Sequence, residues 1–406
     1  MIDLQTQHVV LVRAFLAVTV GILVLFAGKA INQRVGPLRN YNIPEPVTGG
    51  LLVAIALWMV YVATGYRVTF ELTARDVLLV YFFTTIGLNA RVSDLKAGGR
   101  PLVLLLTAVA VFLVVQNVAG IATARLFGLP PAVGLLAGSV SMIGGHGTSI
   151  AWAPTFASQH NVPNALEIGV LCATAGLVLA GVVGGPVGRY LIEHHGLHGR
   201  HDAAPAVGVT YGDAEPQIDY LSFLRAVLAI HVSGVIGILV HQWLTRLGAN
   251  VPLFLPCLMA GIVLTNIVPR VAPRVLWPTG TPALALIAEI TLGVFLAMSL
   301  MSMQLWTLAE LAGPLCALLG VQVVLAILFA VFLAFPILGR DYDAAVICSG
   351  LIGFGLGPTP TAIANMTALT QRYGASPVAF LVVPLVGAFF GDLLNFAVIH
   401  LFLLVV

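Results

Sequence analysis

Charge is what this sequence has least of. Asp, Glu, Lys and Arg together make up 8% of the chain, and Lys29 and Lys96 are its only lysines. With 59% hydrophobic residues, the chain lacks the makeup of an ordinary soluble domain. No basic run offers a footprint for nucleic acid. The four cysteines (Cys172, Cys257, Cys316 and Cys348) stand apart in apolar segments without metal-type spacing, and read as free buried thiols. Catalytic signatures are missing too: there is no Gly-x-Ser-x-Gly elbow, no phosphate loop and no His-Glu-x-x-His. An enzyme is disfavoured, and no organic cofactor is expected.

What the chain has in excess is apolar stretches of bilayer length. Spans are predicted near 9–29, 47–64, 76–90, 101–127 and 165–192, and again near 221–242, 252–269, 280–301, 313–336 and 377–404. The first is too long for a signal-peptide core, lacks a small-residue cleavage site and reads as a true span. The expected class is an all-α polytopic protein of the lipid bilayer.

One stretch inside this apolar background has the composition of a loop. Gly353–Met366 reads G-F-G-L-G-P-T-P-T-A-I-A-N-M. Each helical glycine costs about 1 kcal/mol relative to Ala, and Pro358 and Pro360 remove backbone donors. A membrane tolerates irregular backbone only where protein or a watery cavity satisfies it, so the break points to a buried polar site. A glycine-packed helix crossing is the plainer alternative.

The chain also resembles itself. Adding 212 to a position carries Arg13-Ala14 onto Arg225-Ala226, Pro44 onto Pro256, Gly49 onto Gly261, Gly138 onto Gly350 and Gly145 onto Gly357. Two copies follow: 1–192 with a re-entrant hairpin near 131–157, and 220–406 with one near 344–369, joined by a linker at 193–219. Five crossings per copy make the second run inverted relative to the first. With both termini outside, only Arg13, Arg67, Arg75, Arg125 and Arg246 fall outside, and the other thirteen of the 18 Lys and Arg residues fall inside. The linker is then cytoplasmic. Its His194, His195, His198 and His201, with Glu193 or Asp202, have a spacing conceivable for a metal, although linkers often carry such residues idly.

Each break predicts two half-helices meeting at a tip. Their N–H ends suit a carboxylate, and unwound carbonyls suit a sodium ion. Candidate substrate contacts are Ser141, Gly145, His146, Gly147, Thr148 and Ser149 on the first tip, with Gly357, Thr359 and Thr361 on the second. Capping of the half-helices explains any one hydroxyl equally well, and a structural donor explains His146. Sodium candidates are Asn365, Asp392 and Asn395, together with Thr84, Thr85 and Asn89 from the short polar span F-F-T-T-I-G-L-N-A. Glu45 in I-P-E-P-V fits a helix start, while Glu167 and Glu289 fall in apolar runs with interfacial or capping roles open to them.

These residues carry a resemblance. I-P-E-P-V-T-G-G-L-L-V-A (43–54), F-F-T-T-I-G-L-N-A (82–90), G-L-L-A-G-S (134–139), G-G-H-G-T (144–148), A-T-A-G-L-V-L-A-G-V-V-G-G-P-V (173–187) and P-T-P-T-A-I-A-N-M (358–366) make the chain similar to the bacterial sodium/glutamate symporter family over nearly its whole length. The resemblance implies sodium-coupled uptake of L-glutamate across the inner membrane. It also implies two inverted repeats with re-entrant hairpins, an elevator-like movement and a homodimer. The family's hairpin residues fall on Gly144–Thr148 and Gly357–Asn365. The family often has Ala where Pro358 stands, and small polar residues where Met142-Ile143 stand, which bears on substrate preference. A carrier of another dicarboxylate is one alternative. A cation/proton antiporter is another; it calls for an Asp–Asp or Asp–Lys pair in mid-membrane, yet Lys29 and Lys96 lie at span ends. A channel lacks a ring-forming filter.

Overall fold

The structure is a computed structural model that describes residues 2–5, 9–40, 43–91, 99–199, 219–247, 251–304 and 311–406. Lys96, Arg200, His201, Asp202 and most of the linker lie outside the described residues, as do the side chains of Arg39, Ala388 and Phe389. In chain order the helices are α1 Ala14–Arg34, α2 Gly36–Asn40, α3 Glu45–Thr64, α4 Thr73–Asn89, α5 Gly99–Leu126, α6 Pro131–Leu135, α7 Gly145–Gln159 and α8 Ala165–His194. They continue as α9 Tyr220–Arg246, α10 Phe254–Val271, α11 Pro282–Met301, α12 Ala312–Leu338, α13 Tyr342–Leu356, α14 Thr359–Tyr373, α15 Pro377–Leu385 and α16 Gly391–Leu403. Among the described residues eight helices are long and apolar enough to cross a membrane, which makes this a polytopic membrane protein.

Among the described residues three short strands accompany the helices. Ile2–Gln5 (β1) pairs antiparallel with Val9–Val12 (β2), which pairs in parallel with Arg67–Phe70 (β3). The span expected from residue 9 therefore begins at Ala14. The β-branched run V-V-L-V finds a strand partner, and Arg13 marks the helix start. Arg13 offers no side-chain cap, but the Glu71 carboxylate accepts the Ala14 N–H at 3.1 Å, at the positive end of α1.

The chain forms two compact units, and each draws from both halves of the sequence. One comprises Met1–Val35, Pro44–Ser93 and Tyr211–Trp306, the other Gly36–Ile43, Asp94–Thr210 and Thr307–Val406.

The first unit holds α1, α3, α4, α9, α10 and α11. Its helices meet through glycines: a Cβ on Gly28 would run into the Glu45 carbonyl, one on Gly49 into the Val24 carbonyl, and one on Gly87 into the Leu258 carbonyl. Gly28→Ala should therefore lower the stability of the purified protein by about 1–3 kcal/mol, read from detergent-solubilised thermal unfolding. The last carbonyls of α4 are satisfied from outside the helix. Leu88 O accepts from Thr265 Oγ1 at 2.9 Å and Thr279 Oγ1 at 2.7 Å, and Ala90 O accepts from Asn266 Nδ2 at 2.8 Å. Asp219 caps α9 through the Ser222 N–H, and the hydrogen bonds from Ser222 hold its carboxyl below the ordinary range.

The second unit holds α5, α8, α12, α15, α16 and both interrupted segments. In the first, α6 runs into a π-helical turn at Leu136–Val140, broken at Gly138 (φ −92°, ψ −128°) and followed by α7. In the second, α13 remains helical through Gly350, Gly353 and Gly355, and the interruption is confined to Gly357-Pro358. The glycines expected to break the helix serve packing instead. Gly353 lies against the Ala362 backbone of α14, and a Cβ on Gly355 would stand 3.0 Å from Phe112. Close approach to a partner outweighs the propensity loss.

Candidate functional site

The site is built in the second unit on α8. This helix carries A-T-A-G-L-V-L-A-G-V-V-G-G-P-V, whose glycines accept both hairpins. Gly169 faces Ser149 of the first hairpin, and a Cβ on Gly188 would stand 2.8 Å from Ser349 of the second. Gly184 leaves room for Asn365, whose Nδ2 donates to Ala180 O at 3.0 Å, and Ser349 Oγ donates to Gly184 O at 2.9 Å. Both tips converge on Gly176, near the middle of α8. A Cβ there would run into the Leu356 carbonyl of the second tip and stand 2.9 Å from Met142 Sδ of the first.

At the first tip the chain reverses at Ser141–Gly144 and α7 begins at Gly145, whose φ of +64° favours glycine. Ser149 Oγ lies 2.8 Å from Gly145 O and 3.1 Å from Ser141 Oγ, and Ser141 Oγ donates to Leu136 O at 2.5 Å. These two hydroxyls hold the reversal together. His146 is buried, with Nε2 at 2.9 Å from Thr174 Oγ1. The Thr174 hydroxyl hydrogen goes to Val170 O at 2.8 Å, so Thr174 accepts from His146, whose Nε2 carries the proton. Thr148 is buried in the first turn of α7, and Gly147 is half-buried.

At the second tip Pro358 precedes α14, and Thr359 and Thr361 occupy its first turn. Thr359 Oγ1 would lie 2.9 Å from a Cβ on Gly387, so α14 starts close against the turn Val386–Phe390. Thr361 is 1% exposed, and its Oγ1 has no hydrogen-bond partner. Both second limbs, α7 and α14, begin at a tip and so present their positive ends there. The carbonyl end of α13, including Gly355 and Leu356, arrives at the same place.

A set of buried amides ties the hairpins to the surrounding helices. Gln116 and Asn117 are neighbours on α5. Gln116 Nε2 donates to Gly355 O of the second hairpin at 3.1 Å, and Asn117 Oδ1 accepts from the Ser139 N–H of the first at 3.0 Å. Gln322 of α12 donates to Gln116 O at 3.1 Å, and Asn395 of α16 donates to Ser139 O at 2.9 Å. All four side chains are 0% exposed. Sequence reasoning reached only Asn395. The signal for the others is an amide within an otherwise apolar run, V-V-Q-N-V-A and G-V-Q-V-V-L.

The sodium candidates divide between the units. Asn365, Asp392 and Asn395 belong to the second, with Asp392 half-buried one turn before Asn395 on α16. Thr84, Thr85 and Asn89 belong to the first. There Thr84 donates to Val80 O, Thr85 donates to Phe82 O (both at 2.7 Å), and Asn89 Oδ1 accepts from the Gly280 N–H at 3.0 Å. Their polar atoms already have local roles. Glu45 opens α3 and Glu167 lies buried in the first turn of α8, both at positive helix ends, whereas Glu289 is exposed along α11. His194 stacks on Tyr190 and lies edge-on to His195. Among the described residues no three His, Cys, Asp or Glu gather as a metal site. Glu193 instead accepts from Arg189 at 2.9 Å and from Tyr373 at 2.6 Å.

The chain has known relatives. The sodium/glutamate symporter family model matches residues 10–375. A sodium/glutamate symporter of Escherichia coli (strain K12) is 42% identical over 386 residues, 94% of this chain and 95% of the relative. One from Haemophilus influenzae is 41% identical over 381 residues, 93% and 94% of the two chains. These relatives are named as symporters, not enzymes. With most of its length matched, and with two glycine-packed hairpins seated on α8, the chain belongs to the sodium/glutamate symporter family.

Proposed function

We propose that this protein is a secondary transporter that carries L-glutamate into the cell together with sodium, across the bacterial inner membrane. The observation that carries the reading is the convergence of both hairpin tips on Gly176. Two helix N-termini there suit the carboxylates of a dicarboxylic amino acid, and the unpartnered Thr361 hydroxyl offers a further contact. Candidate substrate contacts are Ser141, Gly145, His146, Gly147, Thr148, Ser149, Gly357, Thr359 and Thr361. Ser141 and Ser149 act by holding the first tip in shape.

The second unit carries the solute as one body in an elevator-like movement. Its hairpins share α8 and the amide set, so they travel together. The first unit serves as scaffold and as the contact surface of a homodimer. The halves are inverted repeats, both termini are periplasmic and the linker is cytoplasmic, in keeping with the Lys and Arg distribution.

The test is uptake of labelled L-glutamate into proteoliposomes, with an inward sodium gradient against an equal potassium gradient. Accumulation with sodium alone supports the reading. Accumulation of a different dicarboxylate under the same gradient reassigns the solute, and equal uptake in both gradients overturns the coupling.

A further inference from the structure

The amide set that joins the hairpins has more acceptors than its own hydrogen bonds use. Gln116, Gln322 and Asn395 each give their amide NH2 to a backbone carbonyl, that of Gly355, Gln116 and Ser139 respectively. A carbonyl only accepts, so these bonds fix which end of each amide is nitrogen. What remains is Gln116 Oε1, Gln322 Oε1 and Asn395 Oδ1, none with a hydrogen-bond partner; Ser139 Oγ has none either, and Asn117 Nδ2 is a single amide donor left over against these acceptors. All four side chains are fully buried. The set borders one stretch of the first hairpin: a Cβ on Gly138 would stand 3.0 Å from Asn117 Oδ1 and 3.6 Å from both Gln322 Nε2 and the Gln116 carbonyl. Asn117 and Asn395 hold the N–H and carbonyl of the adjoining Ser139.

We infer that this set is the binding site of a monovalent metal cation, sodium in the coupled reading, with Gln116 Oε1, Gln322 Oε1, Asn395 Oδ1 and Ser139 Oγ as its ligands. The inference rests on the proposed sodium-coupled transport and gives the coupling ion a place. Unpartnered buried acceptors are unfavourable unless a donor or a cation satisfies them; here three amide oxygens and a hydroxyl outnumber the one free amide donor, Asn117 Nδ2, and uncharged oxygens are suitable ligands for a hard ion. None of the four ligands is a carboxylate, which favours a singly charged ion over calcium or magnesium. The placement also explains coupling. Gln116 and Asn117 hold the second and first hairpins, so an ion drawn among these side chains fixes both tips before the solute arrives.

The test is thermal unfolding of the purified full-length protein in sodium chloride against choline chloride, without glutamate. Sodium should raise the wild-type midpoint saturably. In Gln322→Met and Asn395→Leu the half-saturating sodium concentration should rise at least about tenfold. Should these variants fail to fold, Ser139→Ala carries the test, because its hydroxyl makes no hydrogen bond within the protein. A purely structural role for the amides leaves the half-saturating concentration unchanged, and that result overturns the inference. If uptake is sodium-driven but the variants keep wild-type half-saturation, the site is wrong and the function stands. If sodium stabilises only the wild type but no sodium-driven uptake exists, the site stands and the function is wrong.

Discussion

In Thr361→Val, sodium-driven uptake should fall at least about tenfold while the protein remains as stable as the wild type or becomes slightly more so. The two effects separate because of where the hydroxyl stands. Thr361 is 1% exposed and its Oγ1 has no partner, so the fold gains nothing from it. An unpaired buried polar group costs about 1–3 kcal/mol, and an apolar group of the same shape removes that penalty. The Thr361 N–H bond to Pro358 O, at 2.9 Å, is unaffected by the change. A residue kept only for capping or packing gives the opposite pattern, with stability lost and uptake kept. Unfolding midpoints and proteoliposome uptake on the same preparations decide between them.

Gly176→Ala should reduce uptake at least about tenfold and lower stability by about 1–3 kcal/mol. The added Cβ meets the Leu356 carbonyl, which is backbone and cannot rotate away, and it meets Met142 Sδ at 2.9 Å. One methyl group thus pushes on both tips at once. Gly185→Ala, nine residues further along α8, is the control. Nothing lies within 4 Å of its Cβ, so uptake should persist. The helix should even gain up to about 1 kcal/mol in propensity. Loss of uptake in both variants would mean that α8 needs glycine for flexibility rather than for room.

Eight of the ten expected spans appear as helices of bilayer length because that length leaves a strong apolar signature, whereas 76–90 falls on the 17-residue α4 and 377–404 on α15 and α16 joined through a π-helical turn. The two interruptions were legible because proline and glycine punctuate the apolar background. The sequence did not reveal what the glycines do. G-F-G-L-G reads as loop by propensity, yet Gly353 and Gly355 remain helical because Ala362 and Phe112 press against them. Such contacts are long-range and leave no local mark. Val9–Val12 reads as the start of a span because an apolar β-branched run suits a strand as well as a helix, and one of its two strand partners, Arg67–Phe70, lies more than fifty residues away. At the site, hydroxyls and histidine at the tips drew attention by contrast with glycine. Gln116, Asn117 and Gln322 did not, since single amides in long spans lack a motif. A fixed offset of 212 also pairs Gln116 with Leu328 rather than with Gln322. Thr84 and Thr85 show what sequence leaves open: their hydroxyl hydrogens bond back to their own helix, a role that looks the same in sequence as that of a ligand.

The most direct test of coupled transport is labelled sodium influx into proteoliposomes, with and without L-glutamate outside. Coupled transport requires sodium entry that depends on glutamate and falls with glutamate uptake in Thr361→Val. Sodium entry that is equal without glutamate, or glutamate accumulation with no accompanying sodium, would contradict it.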